Sequence, residues 1–327
     1  LSEFLADIAR EKLAERLRDE LYVSSLRPGV TEWILTTKFD LPRTRGVAGK
    51  WLIAAMLGVL LAAWRPALAE GVSFPSLDTP VTGGKPTLLS GLLMKPDGPG
   101  PFPAIVALHG CGGLLKGGAL VAREAAWAEL LTSHGYVVLF PDSFGPRNVA
   151  TDCEGNVRAW AERSYDAYGA LRYLQTQPFV IGERIGVMGW SHGGGTVIFT
   201  IAPDSSARPA DLPKGDFRAA VAFYPAWCSR LLADWKPAIP FLLEIGAQDD
   251  SIQPEPCIER VKSAQAAGAP MQMKVYDGAV HDFDWPGDKL HTITSPSGKV
   301  AHYGVNEDAR ADALARVLAF FDSRLKP

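Results

Sequence analysis

Four residues of this chain have the types and the order needed for covalent hydrolysis: Ser191, then Asp249 or Asp250, then His281. Ser191 lies in Gly189-Trp190-Ser191-His192-Gly193, a G-x-S-x-G pentapeptide, in which a sharp turn lifts a serine hydroxyl above the ends of neighbouring strands. The pentapeptide is a weak signal alone, but here it joins a strand-like stretch to a helix-like one. A serine hydroxyl is a poor nucleophile until a histidine takes its proton and a carboxylate orients that histidine. Both partners are expected downstream, and both occur where strands should end. "AQDDSIQP" follows "FLLEIG", and "GAVHDFDW" follows "MQMKVYD". Asp249, three residues past Gly246, is preferred as the acid. Asp250 remains a competitor, and one of the two is expected to serve as a turn or helix cap before "PEPCIERVKSAQ". His291 and His302 also lie downstream, in what reads as a polar, solvated loop; only His281 follows a strand directly.

Acyl transfer also needs backbone N–H donors where charge develops on the carbonyl oxygen. "ALHGCGGL" can supply one from Cys111, and His192, next after the serine, can supply the other. His192 is thus invoked for its amide, while the imidazole of His109 and the Cys111 side chain read as structural. In "DSFGPR", Arg147 is a candidate for holding a substrate carboxylate, against a role as a surface or ion-paired arginine. Trp190 is expected to contact substrate, with Phe144, Tyr224 and Trp285 as further lining residues or core. Nucleotide motifs fail, since "GCGGLLKGG" lacks the last glycine of G-x-G-x-x-G and no G-x-x-x-x-G-K-[ST] occurs. The cysteine and histidine spacings do not suit zinc, so neither cofactor nor metal is expected.

Strand-like and helix-like segments alternate from Thr87 onward, the pattern of an α/β fold with a mostly parallel central sheet and helices on both faces. Strands are expected at 87–95, 103–109, 136–141, up to 188, 219–225, 241–246 and 271–277. Helices are expected at about 124–135, 157–174, after Gly195, and 306–325. With no repeat and no linker, residues 70–327 read as one catalytic domain.

Lys50, the apolar run Trp51–Trp64 and the pattern Ala67-Leu68-Ala69 predict a signal peptide over 47–69, too short for a comfortable membrane span. Residues 1–46 then read as an upstream extension, and the exported protein should begin near Glu70. Removing residues 1–69 takes away 10 basic and 8 acidic residues, so 23 basic face 28 acidic ones and neither nucleic acid nor another polyanion is an expected partner. All four cysteines, Cys111, Cys153, Cys228 and Cys257, lie in the exported part. Three pairings are open; Cys111 with Cys153 and Cys228 with Cys257 is favoured.

Together, "GPFPAIVALHGCGG", "GYVVLFPDSFGPR", "RIGVMGWSHGG", "IGAQDDSIQPEPC" and "YDGAVHDFDW" resemble the dienelactone hydrolase family over about residues 87–325. The resemblance implies an α/β-hydrolase fold and a triad at Ser191, Asp249 and His281. Serine stands where the founding enzymes have cysteine, so their lactone substrate is not carried over. The expected activity is cleavage of a small-molecule carboxylic ester, with a peptidase of the same fold or a secreted non-catalytic binding protein as alternatives.

Overall fold

The structure, a computed structural model, describes residues 69–295 and 298–326. The expected extension over 1–46, and all but the last residue of the expected signal segment 47–69, lie outside the described residues. Among the described residues no helix is long and apolar enough to cross a membrane.

An eight-stranded sheet carries the fold, in the order β1-β2-β6-β3-β7-β8-β9-β10. The strands are β1 Glu70–Pro75, β2 Leu88–Met94, β3 Phe102–Leu108, β6 Val137–Asp142, β7 Val180–Trp190, β8 Ala219–Phe223, β9 Phe241–Gly246 and β10 Met271–Tyr276. Between β3 and β6 runs a two-residue-per-strand hairpin, β4 Leu115–Lys116 with β5 Ala119–Leu120. β2 is antiparallel to both its neighbours, and from β6 to β10 every pairing is parallel. The helices are the single turn α1 Thr79–Thr82, then α2 Ala122–Ser133, α3 Glu162–Thr176, α4 His192–Thr200, α5 Glu255–Ala266 and α6 Glu307–Leu325.

The central strands are apolar on both faces because both are covered. All of β8 and β9 is buried, as is β3 after its first residue. β7 shows how closely the layers approach. Side chains alternate along a strand, so residues 186 and 189 point to opposite faces. A Cβ on Gly186 would press on the Phe321 ring of α6, and one on Gly189 would meet Gly193 at the start of α4. Two glycines thus let a helix sit against each face of the same strand.

Two expectations are corrected, and one strand is new. The helix expected from Val157 begins at Glu162. Asp152 accepts hydrogen bonds from the backbone N–H groups of Gly155, Asn156 and Val157, which holds that stretch as a turn. The loop expected to carry His291 and His302 is a β-hairpin, β11 His291–Thr294 with β12 Val300–Tyr303. Its strands are four residues each and, apart from Ala301 and the partly buried Tyr303, exposed, too short a run for a hydrophobic pattern to mark them as strands. β1 was not expected either; it is largely exposed and pairs only with β2 at the sheet edge.

Two disulfides join Cys111 to Cys153 and Cys228 to Cys257, the favoured pairing. The first ties the loop after β3 to the loop after β6. The second ties the turn after β8 to α5. Replacing Cys228 and Cys257 together by alanine is expected to lower stability by about 3.5 kcal/mol, the loop-closure effect for a cross-link spanning 29 residues. Urea unfolding of the oxidised protein measures it, and an unchanged midpoint would show the bond to be dispensable.

Candidate active site

Ser191 follows β7 directly and precedes α4, with φ 52° and ψ −111°, a backbone region that non-glycine residues rarely occupy. Neighbouring backbone holds it there. Its N–H donates to the Phe223 carbonyl at 3.0 Å, and its carbonyl accepts from Gly195 at 2.8 Å and Ala226 at 3.0 Å. The glycines around it are steric requirements. A Cβ on Gly193 would collide with the Leu108 carbonyl oxygen, one on Gly194 would come within 2.6 Å of the Phe223 oxygen, and one on Gly195 within 2.7 Å of the Ala226 oxygen.

The other candidates leave the same carboxyl edge of the sheet. Asp249 follows β9 and His281 follows β10, the strands beyond β8. His281 donates its Nδ1–H to Asp249 Oδ2 at 2.7 Å, with the two side chains 4% and 0% exposed. That bond assigns the imidazole proton to Nδ1 and leaves Nε2 as the basic nitrogen. Burial by itself would lower the His281 pKa, but the charge and hydrogen bond of Asp249 outweigh it and raise the pKa above its ordinary value. The His281 ring lies 4.5 Å from the ring of Tyr224, the residue after β8, and 5.2 Å from that of Tyr303 on the hairpin. The hairpin also grips the His281 backbone, whose carbonyl accepts from the Gly304 N–H at 3.1 Å.

The two adjacent aspartates are thereby separated in role. Asp249 binds His281 with one oxygen and accepts the Ile252 N–H with the other, at 2.8 Å, so it also closes the turn. Asp250 turns the other way, accepting from His302 through both the backbone N–H and Nδ1 at 2.7 Å. It pins the exposed hairpin and caps no helix; Pro254 stands at the α5 N-cap without a side-chain bond.

The amides of Cys111 and His192 have no protein acceptor among the described residues. His192 opens α4, where a first-turn N–H has no intrahelical partner. Cys111 sits in the loop after β3, its carbonyl accepting from Asp152 at 2.9 Å. The histidine rings beside these amides are buried. His109 donates Nδ1–H to the Gly110 carbonyl and accepts the Ser143 N–H at Nε2; burial and the Arg163 charge hold its pKa well below the usual value. Burial and the same arginine push His192 down to about 3.

Two expected substrate contacts face elsewhere. Arg147 spends its guanidinium on buried Asp78, on both oxygens of buried Asp166 and on the Ser143 carbonyl, at 2.7 to 2.9 Å. Trp190 is fully buried, and its indole N–H donates to Asp284 at 2.8 Å. Phe144 and Tyr224 are buried too, leaving Trp285 half-buried among the expected lining residues. The alternative role of each, ion pair or core, is the one its contacts describe.

Sequence reasoning missed the polar groups behind the site. Asp284 gathers the indole N–H groups of Trp127 and Trp190 and the Tyr224 hydroxyl, while Arg123 donates to Asp282, next after His281, at 2.7 Å. "HDFDW" showed these acids, but no spacing rule links them to α2.

Comparison with known proteins agrees with this architecture. A profile described as "Dienelactone hydrolase family" matches residues 89–325. "Putative hydrolase YtaP" of Bacillus subtilis (strain 168) is 34% identical over 126 residues, 33% of this chain, and the chain spans only 42% of that protein. "Probable 2-oxo-3-(5-oxofuran-2-ylidene)propanoate lactonase" of Bradyrhizobium sp is 26% identical over 204 residues, covering 58% of this chain and 77% of the relative. Among solved structures, "Dienelactone Hydrolase-like Promiscuous Phospotriesterase P91 from Metagenomic Libraries" superposes with a TM-score of 0.58 at 19% identity, covering 78% of this chain and 98% of that one. At that identity the likeness is one of fold, the α/β-hydrolase fold.

Gly193→Ala is expected to disrupt the turn, because the colliding Leu108 and His109 oxygens are backbone atoms of a buried strand end that cannot swing aside. A loss of at least about 2 kcal/mol in urea unfolding, as for other core overpacking, is the expected outcome; unchanged stability would show that the turn adapts.

Proposed function

This chain belongs to the dienelactone hydrolase family, and we propose that it cleaves carboxylic esters through a covalent acyl-enzyme on Ser191. The observation that carries the proposal is the buried 2.7 Å bond from His281 to Asp249, at the same carboxyl edge of the sheet as a serine held at φ 52°. With Nδ1–H committed to Asp249, His281 Nε2 takes the Ser191 proton as Oγ attacks the ester carbonyl. Negative charge develops on the carbonyl oxygen and is met by the Cys111 and His192 amides. Collapse of the tetrahedral adduct breaks the bond to the alcohol, which leaves with the proton from His281. A water molecule, deprotonated by the same nitrogen, then attacks the acyl-enzyme and releases the acid.

The substrate is a small-molecule ester, and residues 70–327 form the catalytic domain. Two disulfides support export, since such bonds persist in oxidising compartments. The Bradyrhizobium relative is named as a lactonase, and a lactone is a cyclic ester. Serine in place of the founding enzymes' cysteine is the reason for proposing ester cleavage in general. Short peptides assayed beside a panel of esters separate this reading from a peptidase.

A fluorophosphonate probe is expected to label Ser191 in the folded protein and to leave Ser191→Ala unlabelled, as read by mass spectrometry of the adduct. Absence of labelling on folded wild-type protein would instead favour a binding protein without turnover.

The pH dependence follows from the raised His281 pKa. The base works only when neutral, so kcat/KM should rise with pH through a value above about 6.5, the unperturbed histidine pKa. Asp249→Asn removes the group that raises it, and should move this limb to lower pH while kcat falls by about 10⁴. A limb that stays in place would separate Asp249 from the histidine's titration.

A further inference from the structure

Arg163, the second residue of α3, is a fully buried cation whose bonds are unusual. Its NH1 donates to His192 Nδ1 at 2.7 Å and its NH2 donates to the His109 carbonyl at 2.8 Å, while Nε has no partner. No carboxylate accepts from it among the described residues. Asp166 on the same helix is occupied by Arg147 and Ser76, and Asp152 by the backbone of residues 155–157. The guanidinium lies over the Phe144 ring, 5.1 Å from its centroid. Burial pushes its pKa down to about 9. An apolar side chain would avoid that desolvation cost, so packing alone does not explain an arginine here.

The two acceptors explain it better. His192 carries one of the amides that face the developing oxyanion, and His109 stands two residues before Cys111, which carries the other. Resting on the acyl-enzyme reading above, we propose that Arg163 is a positioning residue: its two-pronged guanidinium spans both segments and sets the separation of the Cys111 and His192 amides. The segment His109-Gly110-Cys111-Gly112-Gly113 is glycine-rich and would be loose by itself. Its outer side is tied by the Cys111–Cys153 disulfide and by the bond from the Asp152 N–H to the Cys111 carbonyl. Arg163 ties its inner side to α4. A planar fork with several fixed N–H groups can hold two acceptors at a set spacing, which a lysine ammonium on a flexible stem does not reproduce. The neutral His192 ring suits this arrangement, since Nδ1 accepts from Arg163 and the remaining proton sits on Nε2, 3.9 Å from Asp152.

The test compares Arg163→Lys and Arg163→Met with the wild type, using the full oxidised chain. The measurements are ester hydrolysis and affinity for an alkyl boronic acid, which forms a tetrahedral adduct on an activated serine. Losing an oxyanion donor outright costs about 10²–10³ in rate, so misplacing two should lower kcat by about 10- to 100-fold. KM should change by less than about threefold, and boronate affinity should weaken in the same proportion as kcat. Arg163→Lys keeps the charge, and decides the matter if Arg163→Met does not fold. Wild-type kcat and boronate affinity in a folded lysine variant, with only the melting temperature lowered, would overturn the proposal. So would a raised KM at constant kcat. Wild-type protein that is neither active nor labelled at Ser191 would overturn the acyl-enzyme reading, and this proposal with it.

Discussion

The turn at Ser191 closes only if three chain segments come closer than side chains allow. The end of β7 must reverse into α4 while the end of β3 passes under Gly193 and the end of β8 passes beside Gly194. The serine takes a positive φ, and its amide and carbonyl are absorbed by Phe223, Gly195 and Ala226. Glycine at 189, 193 and 194 is therefore what lets three adjacent parallel strands end together. The loops that leave those ends inherit their positions from this contact, as does the helix that starts above it. Strain of this kind costs of order 1–3 kcal/mol and persists only where the surroundings enforce it.

Two buried polar networks fix the segments around the turn. On one side Asp284 collects two indoles and a tyrosine hydroxyl, and Arg123 holds Asp282, so the segment after His281 is fastened to α2, β7 and β8. On the other, Arg163 joins His109 to His192, and Asp152 with the Cys111–Cys153 disulfide joins the β3 loop to the β6 loop. Removing one partner of a buried, hydrogen-bonded charge costs more than the pair was worth, because the group left behind is uncompensated. The same sharing of partners makes each loop's position depend on several others.

Arg147 and Trp190 show how a plausible residue type can mislead. Both stand beside chemistry-bearing motifs, and both have side chains common in binding sites. Asp78 precedes Arg147 in the chain by 69 residues and Asp166 follows it by 19, yet they hold its guanidinium. Asp284, 94 residues away from Trp190, takes its indole N–H. Nothing local to "DSFGPR" or "GWSHG" distinguishes an arginine that meets solvent from one that meets two buried carboxylates.

Read alone, the amino-acid sequence shows the α/β alternation and the strand ends that bear Ser191, Asp249 and His281, while the pairing of the four cysteines is settled only in the fold. The alternation and the strand ends are legible because apolar runs, glycine spacing and loop position are local properties of the chain. The choice between Asp249 and Asp250 was not legible. Consecutive residues diverge by the course of the backbone, and only the folded turn after β9 aims one carboxylate at His281 and the other at His302. The same holds for Arg163, an ordinary charged position in a helical stretch by pattern, whose partners lie 29 and 54 residues away. Long-range hydrogen bonds of buried polar groups depend on which segments the sheet order brings together, and that order is a property of the tertiary structure alone.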